Sequence, residues 1–411
     1  MIGYTIRCAV LLGSVVLVLA ASAPAEEKRT DAAVIKPFRI AVDDAVLRDL
    51  KERLARTRFP DQVEGSGWDY GVDVAYMKEL VEYWKDRYDW RAQERKLNEF
   101  PQFVTEIDGV PIHFLHQRSK EKNARPLVLI HGWPGSFYEF HKIIGPLTDP
   151  VAHGGKAEDA FHVVCPSLPG FGFSGKPRTP GYSVSRMSEL IAQLMARLGY
   201  TRYGAQGGDW GAGVANWLGT YDTEHVSGVH LNFLTVGPPN KDDPWAGVSD
   251  LERQRYEKRR DELQNHRAYG AIQGTRPLTL GYALNDSPAG LAAWVVDKFW
   301  AWSDHRGKLE NSFTKDELLT NIMIYWVTET PSSAARIYYE RQFHSGDRKA
   351  GKAPVGVALF PKEINVPPRK WAEAQYQLVH WTEMPRGGHF AALEQPTLLV
   401  EDIRTFFRKV R

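Results

Sequence analysis

A chain of 411 residues with 43% hydrophobic and 25% charged side chains has the composition of a soluble globular protein with room for a large core. Its net charge of +2 excludes recognition by bulk charge, so neither nucleic acid nor an acidic partner is indicated. Two cysteines occur, Cys8 and Cys165, and the first lies in a segment that reads as removable, so no intrachain disulfide is expected.

In chain order, residues 1–25 read as an export signal. Met1 to Arg7 is a short cationic stretch, Cys8 to Ala20 is apolar, and Ala23-Pro24-Ala25 is an A-x-A-like cleavage site before Glu26. The mature chain would then start near Glu26 and be exported, to a periplasm or the medium. Left uncleaved, residues 8–23 would form a membrane anchor, although the apolar run falls short of the roughly 20 residues that span a bilayer.

From Pro37 to about Asn98 the apolar spacing is helical: Leu47, Leu50 and Leu54, then Met77, Leu80, Val81 and Trp84. Trp68, Tyr70, Trp84, Tyr88 and Trp90 enrich this stretch in aromatics, which at helical spacing read as core of a region packing on the main domain. A hairpin follows, Phe103 to Ile107 and Pro111 to His116 around Asp108-Gly109. Pro126 to Ile130 is a continuous apolar run, as expected of a strand buried on both faces. Phe161 to Cys165, Tyr203 to Gly207, His225 to Leu231, Val355 to Phe360 and Gln377 to Trp381 are further strand candidates, with a helix over Val184 to Leu198. Strands alternating with helices predict a mostly parallel sheet of the α/β class. That rhythm stops between Asn232 and about Arg348, where charged and aromatic helical segments predict a lid over the sheet's carboxyl edge. The expected division is 37–105 for the N-terminal region, 106–231 and 349–411 for the two parts of the core, and 232–348 for the lid.

Gly207-Gly208-Asp209-Trp210-Gly211 follows a strand candidate and has the small residues that a sharp strand-to-helix nucleophile elbow needs. Serine there would attack an ester or amide carbonyl. Aspartate instead displaces a leaving group from an sp3 carbon and becomes an alkyl ester, which points to epoxides or alkyl halides. Taken alone, the pentapeptide also fits a helix-capping aspartate in a Gly-rich turn.

Hydrolysis of such an ester needs a base, and among 13 histidines His389, in Arg386-Gly387-Gly388-His389-Phe390, stands in a Gly-rich loop after the last strand candidate. The order nucleophile, acid, histidine is that of α/β-hydrolases. Glu363 follows the strand candidate ending at Phe360 and would orient His389 and stabilise its imidazolium, with Asp347 and Glu340 as weaker substitutes. The loop His131-Gly132-Trp133-Pro134-Gly135 would face Asp209, so that the backbone N–H groups of Trp133 and Trp210 form an oxyanion hole. Opening an epoxide also leaves an alkoxide, for which tyrosine is a suitable neutral donor. Tyr269 and Tyr338 are lid candidates, though composition alone would not select them from 17 tyrosines.

The chain resembles the microsomal-type epoxide hydrolases, α/β-hydrolases with an added N-terminal epoxide hydrolase domain. The matching strings are His131-Gly-Trp-Pro134, Gln206-Gly-Gly-Asp-Trp-Gly211, Ala283-Leu-Asn-Asp-Ser-Pro288 with Gly290-Leu-Ala-Ala293, Phe360-Pro-Lys-Glu363 and Arg386-Gly-Gly-His-Phe-Ala-Ala392. The likeness extends from Phe38 to the end of the chain. It implies Asp209 as nucleophile, Glu363 as acid, His389 as base, and Tyr269 and Tyr338 as oxygen donors. It also implies an N-terminal arm packed on the hydrolase body and lid. Two features depart from the family pattern: Tyr339 beside Tyr338 leaves open which hydroxyl enters the site, and the cleavable-looking leader differs from the membrane anchor of mammalian members.

The expected function is therefore cofactor-free hydrolysis of a small apolar epoxide to a vicinal diol, with no metal. A haloalkane or haloacid dehalogenase would use the same aspartate, glutamate and histidine, with indole N–H groups binding halide. A non-catalytic binding protein on the same fold would have no need of the polar set. A homo-oligomer is compatible with the sequence without being specified by it.

Overall fold

The computed structural model describes residues 34–344 and 352–410. The leader reading for residues 1–25, with Cys8, and the substitute acid Asp347 lie outside the described residues.

Among the described residues nine strands form one sheet: β1 (Lys36–Phe38), β2 (Gln102–Ile107), β3 (Val110–Gln117), β4 (Arg125–Ile130), β5 (Phe161–Pro166), β6 (Tyr203–Gly207), β7 (Val226–Leu231), β8 (Val355–Leu359) and β9 (Leu378–Glu383). Their spatial order is β1-β2-β3-β5-β4-β6-β7-β8-β9. Pairing is antiparallel from β1 through β2 and β3 to β5, and parallel from β5 onward to β9. In the hairpin β2–β3, Asp108 and Gly109 have φ of 52° and 74°, the left-handed pair that a two-residue turn matched to strand twist requires. Leu127 to Ile130 of β4 are wholly buried, as their unbroken apolar run predicts for a strand covered on both faces.

The N-terminal region contains helices Asp44–Ala55, Val74–Asp86 and Trp90–Leu97. Each begins at an aspartate, Asp43, Asp73 or Asp89, whose carboxylate accepts a backbone N–H of the first turn. Trp84, Tyr88 and Trp90 are buried, as their helical spacing predicts. Tyr70 is a correction, because it lies in the turn before the second helix and is 82% exposed. Strand β1 also went unrecognised: three residues carry too little periodicity to read, and only pairing with β2, more than 60 residues away, holds them extended.

Among the described residues between β7 and β8 the chain forms the α-helices Asp250–Glu262, Ala268–Thr275, Pro277–Asp286, Pro288–Trp302, Lys315–Thr328 and Pro331–His344. Lys315–Thr328 opens with a capping box, Thr314 and Glu317, and is buried at every position from Leu318 to Trp326, so it is an internal strut. The N-terminal region packs against this insertion. Trp68 stacks on Trp300 at 3.9 Å, the Tyr83 hydroxyl donates to Asp316 at 2.8 Å, and the Tyr88 and Thr320 hydroxyls are 3.0 Å apart.

Candidate active site

The loops that leave β4, β6, β8 and β9 meet at the carboxyl edge of the parallel strands, where an α/β sheet offers a crevice. Asp209 occupies the tip of the turn from β6 into helix Asp209–Tyr221, with φ of 48°. This left-handed conformation is unusual for a residue with a side chain, and it costs about 1–2 kcal/mol. The turn is closely packed on both sides. A Cβ on Gly211 would stand 1.8 Å from the Ile130 carbonyl oxygen, so the helix presses directly on β4. On the facing loop, a Cβ on Gly132 would stand 2.2 Å from Asp209 Oδ1, so only glycine leaves space for the carboxylate.

Asp209 Oδ1 accepts the Trp133 N–H at 2.9 Å, and Oδ2 lies 3.4 Å from His389 Nε2. On the far side of the imidazole, Nδ1 is 2.5 Å from Glu363 Oε1, which also accepts the Ile364 N–H at 2.6 Å. Glu363 is wholly buried and His389 almost so. Burial alone disfavours the imidazolium, but the Glu363 carboxylate and the hydrogen bond to Asp209 override it and raise the His389 pKa to about 10. The His389 N–H donates to the Trp302 carbonyl at 2.8 Å, which fixes the loop to helix Pro288–Trp302.

Tyr269 and Tyr338 stand over this group with ring centroids 5.7 Å apart. Tyr269 stacks on Trp133 at 5.4 Å, and Tyr338 meets the Trp210 ring edge-on at 4.7 Å. Burial first, then the Asp209 carboxylate, raises the pKa of Tyr269. Burial, then Tyr269 and Asp209, does the same for Tyr338. Both are neutral hydrogen-bond donors at pH 7. Tyr339 instead packs on Phe343 at 4.4 Å, and it is Tyr338 that lines the cavity. That cavity has a volume of about 840 Å³, with Asp209, Trp210, Tyr269 and Tyr338 on its wall beside Phe233 and Trp217.

All seven residues expected at a site are therefore gathered here. Trp133 supplies a backbone hydrogen bond to the carboxylate, and Trp210 follows Asp209 in the first turn of its helix. Glu340, a substitute acid, accepts the Gly181 N–H at 2.8 Å and does not meet His389. Among the described residues, no group of His, Cys, Asp and Glu is arranged to hold a metal.

Two further residues support the site without being among those the sequence singles out. Arg259 donates through Nε to the Glu363 carbonyl at 2.8 Å and through Nη2 to that of Lys362 at 2.6 Å, pinning the loop that carries the acid. Glu394 accepts the N–H groups of Asp304 at 2.8 Å and Phe390 at 3.1 Å, bracing the loop that carries His389. Burial pushes its pKa up to about 8. Arg259 lies in a helix crowded with charges, so nothing in the local pattern sets it apart. Glu394 follows His389 by five residues, and that nearness was a readable signal.

Residues 35–140 match the family model described as the epoxide hydrolase N terminus, and residues 125–268 match the alpha/beta hydrolase fold. The chain is 49% identical over 381 residues to a putative epoxide hydrolase of Stigmatella aurantiaca, covering 92% of this chain and 86% of that protein. It is 39% identical to epoxide hydrolase 1 of Oryctolagus cuniculus, covering 90% of this chain and 88% of the other. Among solved structures, juvenile hormone epoxide hydrolase from the silkworm Bombyx mori superposes with a TM-score of 0.86 at 32% identity, covering 93% of this chain and 96% of that one. Epoxide hydrolase of Aspergillus niger superposes with a TM-score of 0.83 at 32% identity, covering 93% and 98%. The chain belongs to the epoxide hydrolases, enzymes that add water to an epoxide, with an epoxide hydrolase N-terminal region joined to an α/β-hydrolase fold.

Proposed function

We propose that Asp209, Glu363 and His389 carry the reaction, with Tyr269 and Tyr338 holding the epoxide oxygen. Asp209 Oδ2 attacks a ring carbon, the carbon–oxygen bond breaks, and the departing oxygen takes a proton from the tyrosine pair. Oδ1 becomes the carbonyl oxygen of the ester, already hydrogen-bonded to the Trp133 N–H. His389, no longer facing the Asp209 charge, gives up its proton, which restores the tyrosinate to the neutral phenol. The free imidazole then removes a proton from water, which adds to the ester carbonyl carbon. The Trp133 and Trp210 N–H groups stabilise the oxyanion; on collapse the proton left on the added hydroxyl passes to the departing alkoxide, which releases the diol and restores the Asp209 carboxylate beside the His389 imidazolium.

The reaction sets the timing of its own base. While Asp209 is ionised, it helps hold His389 protonated. Esterification removes that charge, so the His389 pKa falls when a base is needed. Glu363 remains to stabilise the imidazolium formed as water is deprotonated.

The observation that carries this reading is the carboxylate of Asp209, held between the Trp133 N–H and His389 beneath two neutral phenols. The dehalogenase alternative has no use for that phenol pair. In His389→Gln the reading expects the alkyl ester to persist after mixing with styrene oxide, seen as an added substrate mass on the Asp209 peptide. An unmodified Asp209 peptide under those conditions contradicts it.

We read 232–348 as a lid over the carboxyl edge, 37–105 as the N-terminal region, and 106–231 with 349–411 as the core. The substrate we infer is apolar, because Trp210, Trp217, Phe233, Leu231 and Ile364 supply apolar surface on the wall that carries Asp209. Export through the leader remains our reading of residues 1–25. No helix among the described residues is long and apolar enough to cross a membrane.

A further inference from the structure

Helix Pro288–Trp302 presents Val295, Phe299 and Trp302 to the interior at helical spacing, and the same face carries Lys298, which is only 4% exposed. An apolar side chain would fill that position without the cost of taking an ammonium out of water. The charge is paired with Asp297, its neighbour in the chain, but the ammonium also lies over the ring of Tyr269, with Nζ 4.6 Å from the centroid. It is 5.8 Å from the Trp302 ring as well.

We propose that Lys298 is a positioning residue for ring opening, its ammonium stabilising Tyr269 as that phenol gives its proton to the epoxide oxygen. This rests on the reading of Tyr269 as an oxygen donor. A neutral phenol ring attracts a cation through its quadrupole. As the proton leaves, negative charge develops on the phenol oxygen and spreads into the ring, so the attraction to Lys298 strengthens between the bound substrate and the transition state. Only an interaction that grows in this way accelerates a chemical step. Ester hydrolysis moves no charge onto Tyr269, so the ammonium contributes nothing there.

A purely structural lysine predicts something different. Lys298 lies one helical turn before Trp302, whose carbonyl holds the His389 loop, so loss of packing would disturb the base and slow hydrolysis too. Lys298→Met, which keeps the apolar stem, and Lys298→Arg, which keeps the charge, separate the two. Single-turnover quench-flow with styrene oxide reads ester formation and ester decay separately. Ester formation in Lys298→Met is expected to slow about tenfold with decay unchanged, and Lys298→Arg to recover most of the rate. In a Tyr269→Phe background the same lysine substitution is expected to have no further effect. Equal slowing of both steps, or unchanged ester formation, overturns the proposal. Lys298→Gln replaces the methionine variant if that one fails to fold. If Tyr269→Phe alone forms ester at the normal rate, it is the tyrosine assignment that has failed, and Lys298 loses its route of action with it.

Discussion

Replacing Glu363 by glutamine isolates one charge in the proposed mechanism. Glutamine keeps the shape and an oxygen for the bonds that Glu363 Oε1 makes, 2.5 Å to His389 Nδ1 and 2.6 Å from the Ile364 N–H. What disappears is a buried negative charge beside the imidazole. A hydrogen bond to a charged group contributes about 1.5–3 kcal/mol, so its loss when the imidazolium forms corresponds to ester hydrolysis slowed roughly ten- to hundredfold. Ester formation does not require His389 to change its protonation and keeps its rate. Single-turnover mixing should then show ester formed normally and decaying slowly. The charge of Glu363 helps raise the His389 pKa to about 10, so its removal lowers that pKa. The rise of hydrolysis rate with pH should shift to lower pH while its plateau falls. Unchanged hydrolysis, or ester formation slowed as much as hydrolysis, would refute the reasoning.

Three other predictions concern the scaffold and its neighbours. Gly211→Ala places a Cβ 1.8 Å from the Ile130 carbonyl oxygen, so the elbow helix must move off β4, at a cost of about 1–3 kcal/mol in denaturant unfolding; an unchanged midpoint contradicts that packing. Tyr338→Phe should slow ester formation, whereas Tyr339→Phe should leave it alone, because Tyr339 packs on Phe343 rather than lining the cavity; equal effects would mean that the hydroxyls had been wrongly chosen. The folded-state pKa of His389 is raised, so its stabilising contribution is complete below its ordinary value near 6.5 and lost as pH climbs through about 10. Thermal unfolding should therefore lose stability with rising pH across that window less steeply in His389→Gln, and identical slopes would count against the raised pKa.

The strands were legible because they are continuous apolar runs such as Leu127 to Ile130, and the parallel sheet followed from their alternation with helices. Asp209, Glu363 and His389 were legible because each follows a strand in a Gly- or Pro-containing loop, so chain position and chemistry coincided. The tyrosines were not legible in this way. Tyr269 and Tyr338 come from separate helices, and only packing of helix Pro331–His344 against Ala268–Thr275 brings their rings together, so the family resemblance had to supply them. Strand β1 and the support from Arg259 depend on contacts between distant segments, which local periodicity does not encode.

The central claim, that water reaches the substrate through an ester on Asp209, is tested most directly by one turnover in 18O-labelled water with enzyme in excess over styrene oxide. The account predicts label in the Asp209 peptide and an unlabelled diol from that first turnover, because the diol keeps an aspartate oxygen and the carboxylate regains one from water. Label in the diol alone, with none in Asp209, would mean direct attack by water and would contradict it.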